Sequence, residues 1–221
     1  MLGQRVTLRG LLLGFASIGF SVLAAAPAKA VTLVAETALT TIQQTANRPC
    51  IFGDPSCTQP GGFPAVTLLG TADFAGLSVS TYNVGNLRTL LGGDSFDIGI
   101  DVGWATSNPS HNLNRFYLEQ VGGSILADYN PSDPGPALGP GLSPGNGFSD
   151  WRLTGFSLAG LLDADSVRFF LDLSGRNDGP EQFFLVSSVV PLPPAVLLFG
   201  TALVGMSLLG RRRKKAGVAQ A

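Results

Sequence analysis

Strict alternation of apolar and polar side chains marks two segments in the middle of the chain. In residues 96–102 four apolar side chains share one face, and Asp97, Gly99 and Asp101 share the other. Residues 167–173 repeat this pattern with an arginine and an aspartate on the polar face. A period of two is the mark of a strand with one buried face, so both segments are predicted to be half-buried β-strands.

Weaker strand patterns and turn signals fill the rest of this region. The weaker strand candidates are residues 77–82, 116–121, 124–129, 151–158 and 183–190. Gly122-Gly123 between two of them predicts a hairpin with a two-residue turn. Residues 130–150 hold five prolines and five glycines and are predicted to be a long irregular loop. Seven or so short strands joined by turns predict a mainly β fold, an antiparallel and jelly-roll-like β-sandwich.

Composition narrows the class of protein. The 221 residues include 29 glycines and 15 prolines, only 13% are charged, and there is one histidine. This favours turn-rich β structure over a coiled coil or helical bundle, and it disfavours a basic nucleic-acid binder. Few side chains titrate near neutral pH, so we do not expect an enzyme. The net charge of −1 also gives no reason to expect a nucleic-acid partner.

Charge is distributed unevenly along the chain, and the N-terminus fits a targeting segment. All fifteen acidic residues lie between Glu36 and Glu181, whereas basic residues gather at both ends. Arg5 and Arg9 precede an apolar stretch, and Ala28-Lys29-Ala30 supplies the small residues of a cleavage site. Residues 1–30 are therefore predicted to be a secretory signal peptide, cleaved after Ala30, and an uncleaved membrane anchor is the alternative.

The C-terminus carries an apolar segment followed by a run of cations. Residues 195–210 would rise about 24 Å as a helix, slightly less than the roughly 30 Å hydrocarbon core. Extension back through Val189 and snorkelling of the arginines would close that gap. A transmembrane helix with a cytoplasmic end at 216–221 is therefore predicted. The basic stop-transfer residues are Arg211, Arg212, Arg213, Lys214 and Lys215.

A proline motif stands directly before this apolar segment and consists of Val190, Pro191, Leu192, Pro193 and Pro194. The order of proline motif, short glycine-containing apolar helix and basic terminus resembles the PEP-CTERM sorting signal of Gram-negative bacteria. The motif is similar to the variant in which leucine replaces the central glutamate. The resemblance implies recognition by exosortase, a membrane-embedded cysteine transpeptidase that cuts near the prolines. It also implies association with exopolysaccharide and matrix, but it covers only residues 190–215.

These features predict five regions along the chain. They are a signal peptide (1–30), an N-terminal segment (31–65), the ectodomain (66–189), the sorting signal (190–215) and the cytoplasmic end (216–221). We expect export across the inner membrane, single-pass anchoring before processing, and then a structural or adhesive role at the surface or in the matrix. A carbohydrate- or calcium-binding module is the alternative, and an extracellular hydrolase is the third possibility.

The only two cysteines, Cys50 and Cys57, are predicted to form a disulfide. On the chain-entropy model this would stabilise the fold by roughly 2.5 kcal/mol. A reactive thiol pair and a metal site are the alternatives. His111 lies in a turn-like Asn-Pro-Ser-His-Asn segment and is predicted to be an ordinary loop residue.

Calcium is the one cofactor that the sequence suggests. Asp94, Asp97 and Asp101 lie around one strand, and Asp178 and Glu181 belong to an oxygen-rich turn. Ca²⁺ takes six to eight oxygen ligands, often from such segments. The spacing does not follow the EF-hand pattern, and a solvated acidic face is the alternative.

Two further sets of residues suggest other chemistry. A glycosidase needs two carboxylates across a cleft, and the candidates are Asp163 with Asp165, or Asp178 with Glu181. Four aromatic residues could form a sugar-binding platform, although their alternation also suits a core: Trp104, Tyr117, Tyr129 and Trp151.

Overall fold

The computed structural model describes residues 28–36, 42–103, 111–131, 135–139, 147–176, 179 and 181–188. Thirteen strands and one helix lie in these residues, so the described part of the chain is mainly β. The predicted sorting motif, transmembrane helix, basic residues and cytoplasmic end fall outside it, as do residues 1–27, Trp104 and Asp178. In the described residues no helix is long and apolar enough to cross a membrane.

The strands are short and are numbered in chain order. They are β1 Lys29–Ala30, β2 Thr32–Ala35, β3 Cys50–Gly53, β4 Thr67–Leu68, β5 Phe74–Leu77, β6 Tyr82–Asn83, β7 Ser95–Asp101, β8 His111–Gln120, β9 Ile125–Tyr129, β10 Ala137–Leu138, β11 Trp151–Ser157, β12 Ser166–Ser174 and β13 Gln182–Ser187. Helix α1, Val84–Leu91, lies between β6 and β7. The segment predicted as one strand at 77–82 is divided between β5 and β6.

The strands form two mixed sheets. The first sheet has the order β1-β9-β8-β12-β5, with β10 also paired to β8 and β6 to β12. The second sheet has the order β2-β11-β7-β13-β3-β4. Most pairs are antiparallel, but β1–β9 and β3–β4 are parallel, so the expectation of purely antiparallel pairing is wrong at these two edges. Residues 54–66 between β3 and β4 are long enough to return the chain to the same end of the sheet, as a parallel pair requires.

Aromatic side chains from both sheets meet in one hydrophobic core. Phe116 of β8 stacks on Phe183 of β13 with ring centroids 5.9 Å apart, and Phe52 of β3 meets Phe116 edge-on. The predicted alternation in residues 167–173 is confirmed, because the four apolar side chains of β12 are buried and their neighbours are not. Each sheet therefore contributes one apolar face to a shared interior.

The predicted strand at residues 96–102 is confirmed as β7, but its second face is not solvated. Asp101 is only 5% exposed, and Gly99 is buried against the ring of Phe184. A side cluster of Cys50, Phe184 and Val186 covers this face, with partly buried side chains of residues 42–66 packed against it. The half-buried prediction was wrong here because a segment distant in sequence covers the second sheet from outside.

The predicted hairpin and disulfide are both confirmed, but residues 121–124 rather than two residues connect the strands of the hairpin. Strands β8 and β9 pair antiparallel, and Gly122 adopts φ +73° in the turn where the Gly123 N–H donates to the Gln120 carbonyl. Cys50 and Cys57 are bonded, with Cα atoms 6.0 Å apart, so neither sulfur is a free thiol. The predicted irregular loop 130–150 is partly regular, because β10 lies within it and pairs with β8.

Candidate functional site

The structure does not bring the three aspartates near β7 together. Asp94 and Asp101 are seven residues apart on an extended chain, which separates them by about 23 Å. Asp94 accepts a hydrogen bond from Arg88 Nε at 2.6 Å, and Asp97 lies 3.7 Å from Arg152 Nη1. Among the described residues, no group of three or more His, Cys, Asp or Glu side chains is arranged to hold a metal ion.

Glu181 belongs instead to a buried ionic cluster with His111 and Arg176. Glu181 Oε2 lies 2.7 Å from Arg176 Nε, and Glu181 Oε1 lies 3.3 Å from His111 Nε2, with all three side chains fully enclosed. Arg176 also donates to the Ala72 carbonyl at 2.8 Å. His111 is the first residue of β8 rather than a loop residue, so that prediction was wrong: its backbone pairs with Leu138 of β10, far along the chain.

Asp101 lies beside this cluster, opposite Gln182 in the pairing of β7 with β13. Burial raises the pKa of Asp101 to about 7, against the lowering effect of the hydrogen bond from Gly147 N–H. The charges of Asp150, Asp54 and Glu181 add to the increase. Burial also raises the pKa of Glu181, despite the opposing charges of its two basic partners. The chain itself supplies the contacts of these carboxyl groups, which indicates a structural role.

The aromatic residues suggested as a sugar-binding platform do not lie together, and the carboxylates suggested for a glycosidase are held in other contacts. Tyr117 stacks on Phe170 at 4.6 Å on the outer face of the first sheet, with the Arg115 guanidinium 4.7 Å from the tyrosine ring centroid. Tyr129 is buried in the core, and the partly buried Trp151 packs against the same core. Tyr117, Tyr129 and Trp151 therefore form no common platform. Asp163 pairs with Arg88, and Asp165 accepts from the Leu162 N–H at 2.7 Å. In these contacts the two aspartates hold loops together.

A pocket of about 480 Å³ opens between α1 and the turn at residues 60–64. Its lining is contributed by that turn, by β6 with its preceding residue, and by α1. The lining residues are Pro60, Gly61, Gly62, Phe63, Pro64, Thr81, Tyr82, Asn83, Asn86, Leu87, Thr89 and Leu90. The volume is within the range of small-molecule sites, which makes this pocket the candidate functional site.

A proline-bounded turn forms one wall of the pocket. Phe63 N–H donates to the Pro60 carbonyl at 3.1 Å, and Gly62 in the third position has φ +78°, a conformation that favours glycine. The turn holds the half-buried Phe63 ring 5.5 Å from Tyr82, which in turn meets Phe169 of the core at 5.3 Å. Prolines at both ends restrict the backbone, so the wall is pre-organised.

The opposite wall is the start of α1, whose amide groups are already bonded within the protein. Asn83 Oδ1 accepts from Asn86 N–H at 3.0 Å. Val84 N–H donates to the Asp165 carbonyl at 3.0 Å, and Gly85 N–H donates to the Asp163 carbonyl at 3.1 Å. A helix N-terminus attracts anions through free amides, and these three are occupied.

Tyr82 forms the floor of the pocket together with Leu87. Its hydroxyl is buried and has no hydrogen-bond partner in the part of the chain that the structure describes. Burial raises the pKa of this phenol above its usual range. The sequence pattern does not predict this site, although Pro-Gly-Gly-Phe-Pro at 60–64 is a turn signal that places one aromatic residue at a fixed point.

The two residues of the predicted cleavage site lie at the start of the described chain. Ala28 precedes β1, and Ala30 lies in β1, where it pairs with Asp128 of β9. Val31 N–H donates to the Asp128 carbonyl at 3.2 Å, and Val31 belongs to the core. Cleavage after Ala30 would therefore remove β1. The new N-terminal residue would be Val31, whose side chain is already buried in the core.

Comparison of the chain with protein-family models, with curated proteins and with solved structures gives no match.

Proposed function

We propose that this chain is an exported surface or extracellular-matrix protein, sorted through its C-terminus by an exosortase-type transpeptidase. The observation that carries the proposal is the order of proline motif, apolar segment and five cations at residues 190–215, behind a signal-peptide pattern at the N-terminus. Membrane insertion before processing would leave the cations in the cytoplasm. The ectodomain has a structural or adhesive role in this proposal.

Features of the described chain support this assignment. The disulfide Cys50–Cys57 suits an oxidising compartment, where such bonds persist. The two sheets are interpreted as the layers of a jelly-roll-like β-sandwich, because Phe116 of one packs on Phe183 of the other. The chain also crosses repeatedly between the sheets, from β6 to β7 to β8 and again at each step from β10 to β13, as the connections of such folds do.

The proposal assigns no catalytic role to the ectodomain. His111 is enclosed and lies against Glu181, and Asp163 and Asp165 hold loops, so these residues are assigned to the fold. In this proposal the ectodomain has to stay folded outside the cell and does not have to catalyse a reaction. The internal ionic contacts and the disulfide hold the fold together.

The test compares native cells with and without the exosortase-type enzyme. In the parent strain the protein should be recovered from the surface or the medium, and without the enzyme it should remain in the inner membrane. The double variant P191A/P193A should reproduce the enzyme-deficient distribution, while S188A, just before the motif, should behave as the parent. Identical fractionation in all four cases would contradict sorting through the motif.

A carbohydrate-binding module is the second candidate, favoured by the pocket between residues 60–64 and α1. A calcium-binding module stays a prediction. A native-state calcium site would raise the melting temperature when the ion is added.

A further inference from the structure

We propose that the pocket between the turn at residues 60–64 and α1 binds a neutral saccharide unit. This goes beyond sorting and does not depend on the exosortase, since the pocket lies wholly within the described domain. At about 480 Å³ it can enclose a small molecule or the end of a longer glycan. Three properties of the lining identify the ligand class: charge, mixed polarity and rigidity.

The lining favours a neutral ligand. None of the twelve lining residues carries a charged side chain. The nearby cation Arg88 is held by Asp94 and Asp163, so its charge is already neutralised. The amides at the start of α1 are bonded within the protein, which removes the usual attraction of a helix N-terminus for phosphate or carboxylate. A charged sugar would lose hydration here without gaining a partner.

The lining is also divided between an apolar wall and a polar rim. Pro60, Phe63 and Pro64 form the apolar wall, and the exposed Thr81, Asn86 and Thr89 lie at the rim. A pyranose has the same division, because its C–H face is apolar and its hydroxyl groups lie around the edge. The C–H groups would contact the negative face of the Phe63 ring, and the rim side chains can both donate and accept hydrogen bonds.

The floor and wall are arranged before any ligand binds. The Pro60–Pro64 turn fixes Phe63 against Tyr82, so little side-chain freedom remains to be lost on binding. The Tyr82 hydroxyl is buried without a hydrogen-bond partner among the described residues. The ring of Tyr82 therefore supports the pocket as a fixed, enclosed floor.

The test is calorimetric titration of the full chain in a polyoxyethylene detergent, which avoids the sugar headgroups of maltosides. The probes are cellobiose, maltose and N,N′-diacetylchitobiose as neutral disaccharides, with glucuronate as a charged sugar. At least one neutral disaccharide should bind with a Kd of about 1 mM or below, and glucuronate should not. Absence of binding by all three neutral probes at about 10 mM would overturn the proposal.

Substitutions of lining residues test whether the saccharide binds in this pocket. F63A should weaken binding at least tenfold, and N86A, an exposed helix position that alanine suits, should weaken it without loss of folding. Y82F should bind within twofold of the parent, because the hydroxyl is enclosed, and its melting temperature should stay constant or rise, because an unpaired buried hydroxyl is removed. The matched control is Y117A, a half-buried aromatic on the outer face of the first sheet, which should bind within twofold of the parent.

Two results would reassign the pocket. Loss of binding in Y117A with retention in F63A and N86A would place the sugar on the sheet face. Binding of a proline-rich peptide that F63A abolishes, with no response to saccharides, would make the pocket a peptide groove. Either result overturns the proposal and leaves the sorting experiment unaffected, because sorting is read from the residues near 190.

Discussion

The two sheets differ in what covers their outer faces. On the first sheet this face carries ion pairs and a stacked aromatic pair: Arg115 with Asp128, Arg168 with Glu119, and Tyr117 on Phe170. On the second sheet the disulfide-bearing segment lies over Phe184 and Val186. Burial accordingly alternates along β12, whereas β13 is buried at five consecutive positions. Alternating burial along a strand therefore indicates a sheet with one solvated face, and continuous burial indicates a sheet that is covered on both faces.

The largest effect is expected at the buried ionic cluster. E181Q leaves the enclosed Arg176 without its counter-charge, and breaking such a pair costs about 3–5 kcal/mol. The matched change on the first sheet, E119Q, removes a partly exposed pair with Arg168 and should cost less than about 1 kcal/mol. Urea unfolding of both variants measures the difference. Equal losses would mean that the ionic cluster, which joins the start of β13 to β8 and the end of β12, is as well solvated as the Arg168–Glu119 pair.

The pH dependence of stability should come mainly from Asp101, on the covered face of the second sheet. The pKa of Asp101 is about 7 in the fold against 3.8 when unfolded, so the folded state holds the proton more tightly. Stability from this group is complete below about pH 3.8 and is lost as the pH rises through about 7, by on the order of 4 kcal/mol.

The control for this titration is D101N, which keeps an oxygen for the Gly147 N–H. It should flatten most of the slope between pH 4 and 7 in unfolding free energies measured at intervals. A smaller slope of the same sign should remain from Glu181, whose pKa is also raised. An unchanged slope in D101N would assign the titration to another group.

Removal of the disulfide should loosen the cover of the second sheet. The double variant C50S/C57S should lose roughly 2.5 kcal/mol, because the closed loop is short. Dithiothreitol should bring the parent to the same stability and should not change the variant further. Hydrogen exchange should quicken at β3 and β13, while the first sheet keeps its protection. An equal loss of exchange protection in both sheets would contradict the view that the disulfide-bearing segment stabilises only the second sheet.

The smallest effect compares two strand glycines. A Cβ at Gly99 would lie 2.6 Å from the Phe184 ring, whereas at Gly76 of β5 the nearest atom is the Phe74 ring at an ordinary 3.5 Å. G99A should therefore cost about 1–3 kcal/mol through overpacking. G76A should be neutral or slightly stabilising. Thermal unfolding of the pair tests the comparison, and similar melting temperatures would refute the close contact at Gly99.

Local pattern was sufficient for part of the fold. Residues 167–173 alternate and one face of β12 is buried, and the glycines at 122–123 mark the hairpin. The pattern was insufficient where distant segments meet: Asp101 is enclosed by residues that lie about 50 positions away on either side. His111 and the pocket were missed for the same reason, since β10 and α1 supply their surroundings.

The most direct test of export and sorting is the intact mass of the mature protein from its native cells. The account predicts one non-reduced species that begins at Val31, contains bonded Cys50 and Cys57, and ends near residues 191–194. Reduction should then add the mass of two hydrogens. A species that retains residues 1–30 or Arg211–Lys215, or that carries free thiols, would contradict the account.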